Sequence, residues 1–368
     1  MAVTDQIAKP TLLLDKEKAL KNINAMADKA KNSKVRFRPH FKTHQSAQIG
    51  EWFKDFGVTS ITVSSVEMAE YFANNGWTDI SVAFPVNIRE IKEINELAKK
   101  VCLHLLVESI ETTNFLKKHL ASPVQIWIKI DTGNHRTGIL WKKKNILFEL
   151  ATEIQNSRNM VFNGILTHAG HTYHAKSKRK IINIYDETVS RLKQVQTNLQ
   201  NAGFKKIELS IGDTPACSQV EDFSDVDEIR PGNFVFYDVM QLNLSACSEE
   251  KIAVGVACPV VAKHSQRNEI VIYGGAVHLS KEFIIDQSGH KLFGLVTQLG
   301  ENGWGKIIQG TYVSGLSQEH GIIKTTDTFF DGINVGEILV ILPVHSCLTV
   351  NLLKKCITLD GGEITVMP

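Results

Sequence analysis

The chain has 368 residues, 43% of them hydrophobic and 22% charged, with a formal net charge of +2. This is an ordinary globular composition, long enough for one large domain and a smaller one, with no field to draw nucleic acid or a membrane surface. No apolar run approaches the ~18 residues of a bilayer span, Met1 to Pro10 holds no apolar signal core, and the six cysteines form no C-x-x-C pair, so reduced thiols and a cytoplasmic location are expected.

In chain order, Thr11 to Leu14 is a short strand candidate, and a helix follows from Lys16 to Lys31. A strand–helix alternation then begins. The strands are expected at Val35–Arg38, Ser60–Ser64, Ile80–Phe84, Cys102–Val107, Val124–Ile130, Met160–Thr167, Lys206–Ile211 and Asp227–Arg230. Between them lie helix patterns at Gln45–Phe56, Val66–Asn75, Ile88–Lys99, Ile110–His119, Lys143–Asn156, Lys178–Asn201 and a short piece near Ala216–Val220. The long helix carries one apolar stripe through Ile181, Tyr185, Val189, Leu192, Val195 and Leu199. Regular alternation argues for a parallel sheet with both faces covered. Eight strands in about 200 residues fit a (β/α)8 TIM-type barrel, with a doubly wound open sheet as the alternative.

After Tyr237 the texture changes. Ile252–Lys263, Glu269–Tyr273, Ile307–Val313, Glu337–Ile341 and Lys355–Leu359 read as strands separated by Gly-containing turns. A barrel over residues 15–245 and a mostly β domain over 246–368, joined by the N-terminal strand within 1–14, is the expected organisation.

The chemistry-bearing residues gather at the expected C-terminal ends of barrel strands, where barrels hold their sites. Arg38-Pro39-His40-Phe41-Lys42-Thr43-His44 follows the first strand. Four of its seven residues can be cationic, and cationic neighbours lower an amine's pKa, which suits a nucleophilic or Schiff-base lysine. Asp131 to Arg136 follows strand five, His168-Ala-Gly-His171 and Tyr173 strand six, Gly212 to Pro215 strand seven, and Arg230 to Asn233 strand eight. Gly212 and Thr214 suit a phosphate, because glycine permits close backbone approach and threonine adds a hydroxyl; Gly232 and Asn233 can add donors. A phosphate site with a Schiff-base lysine is the minimal description of a pyridoxal phosphate site. In the second domain, His345-Ser-Cys347, read as extended, places two ligands on one face for a borderline cation, with His320 as a possible neighbour.

With these stretches in hand, the chain resembles fold-type III pyridoxal phosphate enzymes, the eukaryotic-type D-serine dehydratases and their D-threonine aldolase relatives. The matching motifs are Arg38 to His44, Lys129 to Gly138, His168 to Tyr173, Gly212 to Pro215, Arg230 to Tyr237, Gln318 to Gly321 and Pro343 to Cys347. The resemblance implies an alanine-racemase-like barrel, a C-terminal β domain and a homodimer. It implies that Lys42 carries the cofactor, that Gly212, Thr214, Gly232 and Asn233 hold its phosphate, and that His40, Arg136 and His168 lie beside it. Tyr173 would face the pyridine nitrogen, or Arg230 as in the racemases. Phe41 and Asp213 depart from the family pattern.

The His-x-Cys pair points, by the same resemblance, to zinc, with manganese or another divalent cation possible, and to dehydration of D-serine to pyruvate and ammonia. Small D-amino acids are the expected partners. Alternatives are a D-threonine-type retro-aldol enzyme with His171 as a candidate base, a D-3-hydroxyaspartate dehydratase, for which extra basic groups in the pocket would speak, a non-catalytic pyridoxal phosphate carrier, and a metal hydrolase using His168 and His171.

Overall fold

The structure is a computed structural model in which residues 7–368 are described. Residues 1–6 of the expected N-terminal segment therefore lie outside the described part. The chain divides into two compact units, one built from Asn24–Lys42 and Gly50–Gly232, the other from the residues up to Ile23, Thr43–Ile49 and Asn233–Pro368.

The first unit is the (β/α)8 barrel. Its strands, in order, are Arg36–Phe37, Ile61–Val63, Asp79–Pro85, Cys102–Val107, Val124–Asp131, Met160–Leu166, Glu208–Ile211 and Glu228–Ile229. From strand two onward each pairs in parallel with the next, and strand eight pairs with strand one, Glu228 opposite Arg36. The ring closes through a bridge between His40 and Thr62, where the Phe41 N–H donates to the Thr62 carbonyl at 2.8 Å. Serines cap several of the intervening helices: the Ser65, Ser109 and Ser177 hydroxyls accept from the backbone N–H groups of Met68, Thr112 and Lys180. The apolar stripe of the helix Lys178–Asn201 is buried.

Three elements are shorter than the pattern predicts, each for a backbone reason. Lys34, Gln45 and Lys206 have positive φ (57°, 49° and 54°). That left-handed conformation belongs to neither strand nor helix. Strand one therefore begins at Arg36, the next helix at Ala47 and strand seven at Glu208.

The second unit is mostly β. Six strands form a closed antiparallel ring: Val254–His264, Glu269–Tyr273, His320–Lys324, Tyr312–Leu316, Gly294–Gly300 and Ile338–Pro343, which pairs back to Val254–His264. Thr11–Leu14 joins it, antiparallel to the strand Val254–His264 and parallel to Lys355–Thr358. Ile7, Leu13, Ala257 and Val340 form a buried apolar cluster of this unit. Sequence pattern misses Gly294–Gly300 and His320–Lys324, and sets one strand too early, at Ile307–Val313. Gly310, at φ 72°, makes a turn there, and the strand starts at Tyr312.

Candidate active site

The segment carrying Lys42 is pinned on its barrel side. Arg38 is almost fully buried; its Nε donates to Glu228 Oε2 at 2.7 Å and its Nη1 to Asp79 Oδ1 at 2.5 Å. The Thr62 hydroxyl donates to the Arg38 carbonyl at 2.9 Å, and the His40 N–H to the Pro231 carbonyl at 2.9 Å. Phe41, out of place in the family pattern, is fully buried among Phe53, Phe72 and Trp77, with ring centroids 4.9, 5.0 and 5.1 Å away. Lys42 itself is exposed, following this aromatic anchor. His40 is half-buried, and its Nδ1 lies 3.4 Å from the Lys42 N–H. His44 does not supply the cationic neighbour expected from the sequence: burial pushes its imidazole down to about 3, so it is neutral.

The loops after strands five to seven converge. His168 Nδ1 lies 2.6 Å from the Gly212 carbonyl oxygen. That oxygen only accepts, so Nδ1 carries the proton and Nε2 presents a lone pair. Burial, then the positive charges of Lys129, Arg136 and Lys42, hold the imidazole well below its ordinary value. The rings of His168 and Tyr173 are 6.4 Å apart. His171 is half-buried, its Nδ1 is shielded from solvent without a hydrogen-bond partner, and burial beside Arg191 lowers its pKa. Arg136 is exposed at this rim.

Asp213 caps the helix Thr214–Gln219. Its Oδ1 accepts from the Ala216 N–H at 2.9 Å and from the Thr172 hydroxyl at 2.8 Å, tying the strand-six and strand-seven loops together. Burial pushes this carboxyl up to about 6. Gly212 is packed onto the Arg230 backbone: a Cβ there would lie 2.7 Å from the Arg230 carbonyl carbon. Arg230 is fixed as well, Nε donating to the Ser210 hydroxyl at 2.6 Å and Nη2 to the Thr167 carbonyl at 2.7 Å. Gly212→Ala is thus expected to displace the Arg230 backbone. Cofactor affinity, read by equilibrium dialysis, should fall at least about tenfold while the far-ultraviolet circular dichroism stays native.

Sequence reasoning passed over Lys129 except as part of a motif. It is two residues beyond Trp127 in one strand, so both point into the barrel, and Lys129 is 5% exposed. Burial, then Arg230 and Arg136, push its amine well below the usual lysine range. A lysine in register with a buried tryptophan was the available signal.

Among the described residues, Asp79, Cys102 and His104 are the three metal-ligating side chains close enough to share an ion. They sit at the starts of strands three and four, the end of the barrel opposite Lys42. Trp127 Nε1 donates to His104 Nδ1 at 3.1 Å, so His104 Nε2 carries the proton facing Asp79 Oδ1 at 3.0 Å. Arg38 takes the same carboxylate oxygen. Each group is satisfied, and a guanidinium stands where a cation would go, so this cluster fits a hydrogen-bond network.

In the β unit, His345 and Cys347 are not on an extended segment. His345 is the N-cap of the helix Ser346–Leu353, with φ −134° and ψ 98° and no side-chain capping bond, and Cys347 falls in the first helical turn. The Cys347 sulfur is buried, 3.3 Å from the Thr43 hydroxyl and 3.7 Å from Asn233 Nδ2. That Asn233 nitrogen also donates to Asp238 Oδ2 at 2.6 Å and to the Ser346 hydroxyl at 3.0 Å, whereas Asn233 Oδ1 is buried without a partner. His320 is exposed at the start of its strand, in register with Tyr273.

Residues 14–239 match the family model described as alanine racemase, N-terminal domain, and residues 253–359 match the putative serine dehydratase domain. The chain belongs to the family that carries the alanine racemase N-terminal domain. Within this family of fold-type III pyridoxal phosphate enzymes it lies close to the D-threo-3-hydroxyaspartate and D-serine dehydratases, and it is a pyridoxal phosphate-dependent lyase. It is 26% identical to D-threo-3-hydroxyaspartate dehydratase of Delftia sp. over 350 residues, covering 92% of this chain and 91% of that one. It is 29% identical to D-serine dehydratase of Dictyostelium discoideum over 361 residues, covering 89% and 87%. The solved structure of the Delftia enzyme superposes with a TM-score of 0.91 over 100% of this chain and 99% of that one, at 25% identity. A cysteine-to-alanine mutant of a D-threo-3-hydroxyaspartate dehydratase, in the metal-free form, superposes at 0.90 over 98% of each.

The residues of this racemase-type barrel fit the family's cofactor. The Thr214 hydroxyl is buried without a hydrogen-bond partner, as a donor awaiting a phosphate oxygen would be. Gly212 leaves no room for a side chain between the phosphate loop and Arg230, and Gly232 is buried at the end of the next loop. Among the described residues no helix is long and apolar enough to cross a membrane.

Proposed function

We propose that the chain is a dehydratase of D-3-hydroxy amino acids, dependent on pyridoxal phosphate and a divalent metal, with D-threo-3-hydroxyaspartate as its preferred substrate. The observation that carries this reading is the end-to-end likeness to the Delftia dehydratase, in fold and in sequence. It displaces D-serine, the first expectation from the sequence, to second place. Arg136, exposed at the rim beside His168, is a cation that a substrate's second carboxylate could meet.

Held at Lys42, pyridoxal phosphate supplies the electron sink for a carbanion at the substrate's Cα. In this reading Lys42 moves the Cα proton. The Thr214 hydroxyl and the backbone at Gly212, Gly232 and Asn233 hold the phosphate. Both side-chain N–H groups of Asn233 are already committed, to Asp238 and Ser346, so Asn233 contributes through its main chain. Neutral His168, fixed by the Gly212 carbonyl, and Tyr173 orient the ring. His345 and Cys347 form a borderline-soft donor pair that fits zinc, and the cation would supply Lewis acidity toward the departing β-hydroxyl. The Cα–H and Cβ–O bonds break, water leaves, and hydrolysis releases ammonia and a 2-oxo acid.

The test is turnover of purified holoprotein on D-threo-3-hydroxyaspartate, D-serine and D-threonine, with and without chelator. We expect ammonia and oxaloacetate from the first, with kcat/KM at least about tenfold above D-serine, and loss of turnover on chelation that zinc restores. A preference for D-serine returns the earlier reading. Glycine and an aldehyde as products would overturn dehydration altogether.

A further inference from the structure

Asp238 belongs to the mostly β unit, and neither the sequence pattern nor the proposed chemistry uses it. Its carboxylate is 1% exposed and surrounded by donors. Oδ1 accepts from the Gln241 N–H at 3.0 Å and caps the helix Val239–Asn243. A cap needs no more than this one oxygen. Oδ2 faces another helix. It accepts from the Ser346 N–H at 3.0 Å, from the Ser346 hydroxyl at 3.3 Å and from Asn233 Nδ2 at 2.6 Å.

Ser346 is the residue between His345 and Cys347. Its N–H is one of the unpaired donors at the start of the helix Ser346–Leu353. His345 occupies the N-cap position but makes no side-chain capping bond; Asp238 satisfies the donor from outside. One carboxylate thus caps two helices. The main chain adds a further tie, the Met240 N–H donating to the Val344 carbonyl at 3.2 Å. Asn233 Nδ2, bonded to Asp238 and Ser346, also lies 3.7 Å from the Cys347 sulfur, and Thr43, the covalent neighbour of Lys42, approaches that sulfur with its hydroxyl.

We propose that Asp238 is the positioning residue of the His345–Cys347 pair: by holding Ser346 at both its N–H and its hydroxyl, it sets the turn on which two metal ligands stand. Burying a carboxylate is costly unless its oxygens are well used, and here the second oxygen serves the one residue that lies between the two ligands. The inference rests on the metal reading given above.

The experiment is cobalt(II) and zinc binding to the full holoprotein, by competition with a chromophoric chelator, alongside the cobalt–thiolate charge-transfer absorption. Asp238→Asn should weaken metal binding about 10- to 100-fold, as the loss of an outer-shell partner does, with the yellow cofactor absorption and the circular dichroism retained. Ser346→Ala, which keeps the backbone N–H on Asp238, should weaken it several-fold and serves if Asp238→Asn does not fold. Wild-type metal affinity and an unchanged cobalt spectrum in these variants would overturn the inference. Loss of cofactor and fold together with the metal in both variants would make Asp238 and Ser346 general structural residues and also overturn it. A wild-type chain that binds cobalt with no thiolate band, or not at all, would remove the metal reading itself and this inference with it.

Discussion

Lys42→Ala is expected to yield a colourless protein with lyase activity reduced by more than about 10⁴-fold, because one side chain serves both as the covalent tether of the cofactor and as the base at Cα. The loop geometry supports choosing this lysine. Arg38 is locked to Glu228 and Asp79, Phe41 is buried in an aromatic cluster, and the His40 N–H is bonded to the Pro231 carbonyl. Lys42 therefore leaves a fixed backbone, as a tethering residue must. The barrel offers one competitor, Lys129, whose amine is buried and pushed well down by Arg230 and Arg136. Absorption spectra of the two alanine variants separate them. If the yellow band survives Lys42→Ala and disappears in Lys129→Ala, the tether is Lys129 and the assignment of Lys42 fails.

How much of this was legible in the sequence follows from which interactions are local. Most of the barrel strands could be read because each is a short, mainly apolar run beside an amphipathic helix, and burial on both faces leaves that mark. Element starts shifted where Lys34, Gln45 and Lys206 adopt left-handed backbone, which residue type alone does not announce. His345 to Cys347 was misread as extended because the helix it starts has no capping residue of its own; its cap, Asp238, lies far away in the chain. Glu228 was invisible for the same reason. A glutamate in a two-residue strand reads as a solvated end, and the arginines that make it a buried hub come from strand one and from two residues further on. Lys42, His168, Gly212 and Thr214 stood out because they fall at strand ends, where the barrel topology itself gathers chemistry.

The largest effect on stability is expected at Glu228. It is fully buried and its carboxylate meets three arginines directly or through one hydroxyl. Oε2 accepts from Arg38 Nε at 2.7 Å and Arg36 Nη1 at 3.1 Å, and Oε1 from the Ser210 hydroxyl at 2.6 Å, which in turn accepts from Arg230 Nε. Glu228→Gln keeps the shape and removes the charge, leaving Arg38 and Arg230 buried with too little compensation. Breaking such a pair costs about 3–5 kcal/mol, whereas removing the solvent-exposed Lys99–Glu96 pair should leave stability nearly unchanged. Urea unfolding of both variants measures the difference. The pH dependence has a definite sign. Arg38 and Arg230 hold the Glu228 carboxyl below its ordinary 4.5 despite burial. Its folded value is thus lower than its unfolded one, so its contribution is complete above the unfolded value and is lost as pH falls toward the folded one. The wild type should lose stability on acidification below about pH 4.5 more steeply than Glu228→Gln. The double variant Arg38→Met with Glu228→Leu should recover part of the loss, because apolar groups of similar size can replace a buried pair at little cost. Equal stability of Glu228→Gln and wild type would mean that water, rather than the arginines, compensates this carboxylate.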